Sequence, residues 1–186
     1  MSPTIASVVA AFFLIPGHMT ASASPAQATE DTASAKVKET PKLRLDTPSG
    51  YPVPRFVSLK AKKTYCRSGP SFAHPVRITF MRQGLPVMVV AETNDHWRKI
   101  RDQEGDECWT HHSKLSGVNM ALVTQDGLTL RARPDQNAPI RARLGIGVIT
   151  RIEKTRGQWV RISTQGMGGW ALQSGLWGAT DIAPRN

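Results

Sequence analysis

The chain has few of the residues that catalysis and metal binding draw on. Among its 186 residues there are two cysteines and five histidines, and neither type occurs after His112. No Gly-rich phosphate loop or nucleophile elbow is present. Metal ligands are not closely spaced in pairs either: Cys108-Trp109-Thr110-His111 amounts to one half-site. These absences lead us to expect a protein that is not an enzyme and carries no cofactor and no metal. Acidic residues are also scarce, with 14 against 24 Lys and Arg, a formal net charge of +10. That excess would ordinarily point to nucleic acid.

Long apolar runs are missing too. The longest, Ile5–Ile15, falls well short of the roughly 20 residues a membrane-spanning helix needs. Pro16-Gly17 follows it, and then the small-x-small triplets Ala21-Ser22-Ala23 and Ala26-Gln27-Ala28. This pattern reads as a signal peptide over residues 1–28, although no Lys or Arg precedes the run. The expected location is therefore periplasmic or secreted, with no transmembrane segment left after cleavage. Export removes nucleic acid as a partner and leaves acidic lipid headgroups, phosphates and cell-wall carboxylates. Residues 29–54 carry Pro41, Pro48, Pro52 and Pro54 among short-range charges, the composition of a flexible linker.

What the sequence has is a repeat. Arg67–Ser71 (RSGPS), Arg82–Val87 (RQGLPV), His96–Ile100 (HWRKI) and Glu107–Thr110 (ECWT) recur as Arg131–Asp135 (RARPD), Gly145–Thr150 (GIGVIT), Gln158–Ile162 (QWVRI) and Gly168–Leu172 (GGWAL). The offset drifts from 64 (Arg67 to Arg131) to 61 (Trp109 to Trp170), small loop differences on one duplicated framework of about sixty residues. The residues kept in both copies are Arg, Gly and Trp. A shared activity of the two copies cannot use Cys or His, which the second copy lacks.

The order R-x-[GR]-P, a Gly before a Val-rich run, W-x-[KR]-I and a late Trp resembles bacterial SH3-like domains of exported proteins. The resemblance covers residues 55–117 and 119–178, leaving 179–186 as a C-terminal tail. Cys66, Cys108 and Ala132-Arg133 depart from its pattern. It implies two small β-barrels and a role in targeting cell-wall peptides or a protein partner. The residues themselves agree on an all-β fold, because short runs rich in Val, Ile and Trp alternate with turn signals. Strands are expected at Phe56–Lys60, Thr64–Arg67, Val76–Phe80, Leu85–Ala91, Trp97–Arg101 and Glu107–His111. In the second copy they are expected at Met120–Val123, Leu128–Arg131, Ile140–Leu144, Val148–Lys154, Trp159–Ser163 and Gly169–Leu172. Leu122-Val123, between the copies, is a candidate for their seam.

Alternation then sorts the tryptophan strands. With Val160 and Ile162 turned inward, Trp159 and Arg161 share the other face, and Trp97 shares its face with Lys99. With the late Trp109 and Trp170, these six residues are the expected ligand contacts. The same rings could also cover a small core from outside. An even cysteine count in an exported chain points to a Cys66–Cys108 disulfide, with free thiols, a metal or a nucleophile as alternatives. Closing that loop would be worth roughly 4 kcal/mol. The resulting expectation is a non-catalytic binding module for cell-wall peptide. An envelope protein–protein adaptor is the alternative, and a cell-wall-processing enzyme using Cys66 or Cys108 is a third reading.

Overall fold

Alternating burial governs the chain from Arg55 onward. In Leu128–Arg131 the two leucines are buried and Thr129 and Arg131 are not; in Thr64–Arg67 Thr64 and Cys66 are buried while Tyr65 is exposed. Strands of this kind must cover one face, and here they do so by curling into two small sheets. The computed structural model describes residues 42–179. The expected signal peptide and the first half of the expected linker, residues 29–41, lie outside these residues.

The first module contains β1 (Arg55–Leu59), β2 (Thr64–Arg67), β3 (Val76–Phe80), β4 (Pro86–Glu92), β5 (Trp97–Arg101), β6 (Glu107–His111) and β7 (Leu115–Ser116). The second contains β8 (Met120–Val123), β9 (Leu128–Arg131), β10 (Ile140–Leu144), β11 (Ile149–Arg156), β12 (Trp159–Thr164), β13 (Met167–Leu172) and β14 (Leu176–Trp177). All pairings are antiparallel, in the orders β3-β2-β6-β5-β4-β1-β7 and β10-β9-β13-β12-β11-β8-β14, one topology built twice. Every expected strand is present with small shifts at its ends. Two short strands were not expected: β7 and β14, each following a 3-10 turn (His112–Lys114 and Gln173–Gly175). The barrels are also not closed. Each hydrogen-bonded order has two ends, because β7 and β14 are two residues long and pair only with β1 and β8.

The duplication extends to individual bonds. Leu59 N donates to Leu85 O and Val123 N to Val148 O, both at 2.9 Å; Gly84 N donates to Leu59 O and Gly147 N to Val123 O, both at 2.8 Å. Gly84 and Gly147 hold φ of 77° and 80°, a left-handed conformation open to glycine at little cost, which explains the repeated Gly ahead of each Val-rich strand. A bulge interrupts β4 between Val89 and Ala91 and β11 between Ile152 and Lys154, the same place in both copies.

Each module has its own core: Val53, Leu59, Cys66, Val87, Val89, Ile100 and Cys108 in the first, and Val123, Leu128, Leu130, Leu144, Val160, Ile162 and Leu176 among others in the second. Two expected boundaries meet structure on their far side. Residues 42–54 are not linker: Arg44 and Val53 exchange backbone hydrogen bonds at 2.7 and 2.9 Å, and Val53 is inserted in the first core. Ala179, assigned to the tail, belongs to the second core. Val123 is likewise core rather than seam, whereas Leu122 pairs with Trp177, a residue that does reach across. The Trp177 ring stands edge-on to Phe56 at 5.0 Å, the Met120 and Ile149 side chains lie against Gly84, Gly178 packs beside Pro86, and Arg82 donates to Gly147 O.

Candidate functional site

The strand register assembles the six expected contacts into two equivalent faces. In the first module Trp97 stands opposite His111, Lys99 opposite Trp109 and Arg101 opposite Glu107, with Arg67 opposite Trp109 on the next strand. In the second, Trp159 stands opposite Leu172, Arg161 opposite Trp170 and Ser163 opposite Gly168, with Arg131 opposite Trp170. Each face therefore sets one cation directly across from the late tryptophan, with the early tryptophan two residues before that cation. All six residues come together as two triplets, Trp97/Lys99/Trp109 and Trp159/Arg161/Trp170.

The rings are less open than alternation suggests. Trp97, Trp159 and Trp170 retain 5%, 8% and 8% of their accessible surface, and Trp109 is half-buried. For Trp97 the cause is visible: Phe72, from the β2–β3 loop, packs edge-on at 5.0 Å, and the His111 ring lies 5.8 Å away. A position off the core is thus not the same as an open position, because a loop can close over a sheet face. The cations are also engaged. Lys99 and Arg101 both bind Glu107, and Arg161 binds Glu153 at 2.9 Å. Burial alone would raise the Glu107 carboxyl, but hydrogen bonds from Lys99 and Arg101 outweigh it and hold that group below the usual carboxylate range. Hydrogen bonds from Ser163 and Arg161 lower Glu153 in the same direction.

The repeated arginine of R-x-[GR]-P has a structural role that sequence reasoning missed. Arg67 donates to His74 O and Arg131 to Ala138 O, both at 2.7 Å and both seven residues along the chain. Each arginine closes the loop between two strands. Sequence reasoning also missed a buried ion triplet in the first module, where Glu92 binds Arg55 and Arg98 (3.0 Å) and accepts from Ser49 N at 3.1 Å. Burial would raise the Glu92 carboxyl, but Ser49, Arg55 and Arg98 together leave it lowered. The signal was available, since Arg98 shares strand parity with the inward Ile100.

Cys66 and Cys108 form a disulfide with their Cα atoms 5.5 Å apart, which accounts for both cysteines of the chain. Neither is then a thiol nucleophile or a metal ligand. The carboxylates of Asp102, Glu104 and Asp106 lie within 4.8 Å of one another at the β5–β6 turn. Asp102 accepts from Gly105 N and Asp106 N, both at 2.9 Å, and Asp106 binds Arg77, the solvated hairpin tip its sequence implies. No helix among the described residues is long and apolar enough to cross a membrane.

The chain matches no curated protein. Among solved structures it is similar to NlpC2 and NlpC1 from Trichomonas vaginalis, each at 14% identity, with TM-scores of 0.32 and 0.31 over 68% and 67% of this chain. It spans 49% and 45% of those two chains, about half their length. The family model described as the bacterial SH3 domain matches residues 60–117 and again residues 124–178. With both modules matched over more than half of its length, the chain belongs to the bacterial SH3 domain family.

Proposed function

We propose that the protein is a non-catalytic binding module of the bacterial envelope that recognises cell-wall peptide. The observation that carries this reading is the pair of register-matched faces, Trp97/Lys99/Trp109 and Trp159/Arg161/Trp170. The seated rings supply a rigid apolar floor, and Lys99 and Arg161 at its surface exchange their partners Glu107 and Glu153 for ligand carboxylates. Bacterial SH3 domains are often cell-wall binding, and the disulfide suits an oxidising compartment, periplasmic or extracellular.

The test is co-sedimentation of the full mature chain with purified peptidoglycan. The parent is expected to bind, and binding is expected to weaken as salt screens the charges. Lys99→Ala with Arg161→Ala removes two charge-assisted contacts, each worth about 1.5–3 kcal/mol, so affinity should fall at least tenfold. A parent that does not bind rejects the cell wall as partner. A folded double variant that binds like the parent rejects these faces as the site. One observation favours an adaptor as the second reading: Tyr65, Phe72 and Val76, on and between β2 and the edge strand β3, are 48%, 69% and 42% exposed and offer apolar surface to a protein.

A further inference from the structure

Three of the five histidines meet at one end of the first module. His96 closes the β4–β5 turn, His111 ends β6 and His112 opens the following 3-10 turn. Their ring centres are 4.7 Å (His111–His112), 4.9 Å (His96–His112) and 6.4 Å (His96–His111) apart. The second module repeats two of the surrounding backbone pairings without them, although its β11–β12 turn is shorter and places its left-handed residue at Gly157. Its bond from Gln173 N to Gln158 O, 2.9 Å, reproduces that from His112 N to His96 O, 2.9 Å, and Leu172 stands opposite Trp159 as His111 stands opposite Trp97. These pairings therefore do not call for imidazole at their positions. His96 also holds a left-handed φ of 63°, uncommon for any residue but glycine, so the turn carries a side chain where a bare backbone would be the easier choice.

The spacing suits a shared cation. A metal about 2.0–2.1 Å from a ring nitrogen sits about 3 Å from that ring's centre, so two ligating rings stand about 4.5 Å apart at a right angle and about 6 Å apart when opposed, the span that these three centres cover. His96 and His112 are exposed and can turn their nitrogens toward a common point. His111 is held in place: its Nδ1 lies 2.9 Å from Ser113 Oγ and accepts from Ser113 N at 3.4 Å, so a metal must take Nδ1 from these contacts or displace the Nε2 proton. The surrounding charges are Arg98 and Lys114, with Asp95 preceding His96 in the turn. Arg98 is neutralised by Glu92.

We propose that His96, His111 and His112 form a site for a borderline divalent transition metal of the Zn2+, Ni2+ and Cu2+ class, for which imidazole is the suitable ligand. The site is peculiar to the first module and borders its tryptophan face, since the His111 ring packs against Trp97.

Isothermal titration of the disulfide-bonded mature chain with Zn2+ tests this directly. One ion per chain is expected. His96→Gln, His111→Leu and His112→Gln install the residues that the second module carries at the corresponding pairings, and folding is checked by thermal melting. Each substitution should weaken binding about tenfold or more, since three ligands share one ion, and the triple variant should bind none. Unchanged binding by the triple variant, or no binding by the parent, would overturn the proposal. Loss of binding in Asp102→Asn, with the histidines intact, would overturn it as well by moving the ion to the β5–β6 turn.

Discussion

The two modules share a backbone and fill its centre by different means. In the first, Cys66 on β2 and Cys108 on β6 are joined. In the second, Leu130 on β9 takes the place of Cys66, and Gly169, opposite Ile162 as Cys108 is opposite Ile100, takes the place of Cys108. A Cβ on Gly169 would come within 3.1 Å of Leu130 Cβ and 3.0 Å of Arg131 O. One module thus crosslinks a space that the other fills by fitting a leucine against a glycine. A second contrast lies at the end of the same sheets. Glu92 pairs with Arg98 in the first module where the exposed Thr155 stands opposite Val160 in the second, so a buried ion pair occupies a register that the other module fills with uncharged residues. The topology is therefore indifferent to whether covalent, ionic or shape-based interactions hold it.

This contrast can be broken at its strongest point. Replacing Cys66 and Cys108 by Ala opens a loop of sequence separation 42, and the chain-entropy model puts the loss at about 4 kcal/mol. Hydrogen exchange resolved by residue should show that loss in the first module only. Next comes Glu92→Gln, which leaves Arg55 and Arg98 without their shared partner and should cost about 3 kcal/mol at neutral pH. The pH dependence sharpens it. The Glu92 carboxyl is lowered on folding, so its contribution is complete above the unfolded value of about 4.3 and is lost as pH falls through the folded value. Parent and variant should converge in denaturant melts on acidification. The smallest effect tests what the modules have in common: Arg67→Gln and Arg131→Gln each remove one loop-closing bond and should cost similar amounts, about 1–2 kcal/mol.

Most of the fold was legible because period-two burial and turn residues act locally. The strand Thr64–Arg67 alternates in its own sequence, and no distant residue was needed to find it. What escaped depends on contacts distant in sequence. β7 and β14 exist only as partners of β1 and β8, and Val53 sits in a proline-containing stretch whose composition does not reveal the core it enters. The site was legible to the same degree. Alternation gathers Trp97, Lys99 and Trp109 on one face, but it carries no information about Phe72 folding over that face from a loop.

The seam between the modules has a consequence for ligand selection. Phe56 against Trp177, Gly178 against Pro86 and Arg82 bonded to Gly147 O replace what could have been a free swivel with a packed joint. A swivelling pair accommodates ligands of many spacings and loses orientational freedom each time it grips one. A fixed pair has already lost that freedom on folding, so a polymer whose repeat matches the distance between its two faces is held at high effective concentration, and one whose repeat does not match gains nothing from the second face. If the two faces bind cell-wall peptide as proposed, the tandem acts as a ruler, reading the period of its ligand as well as its chemistry.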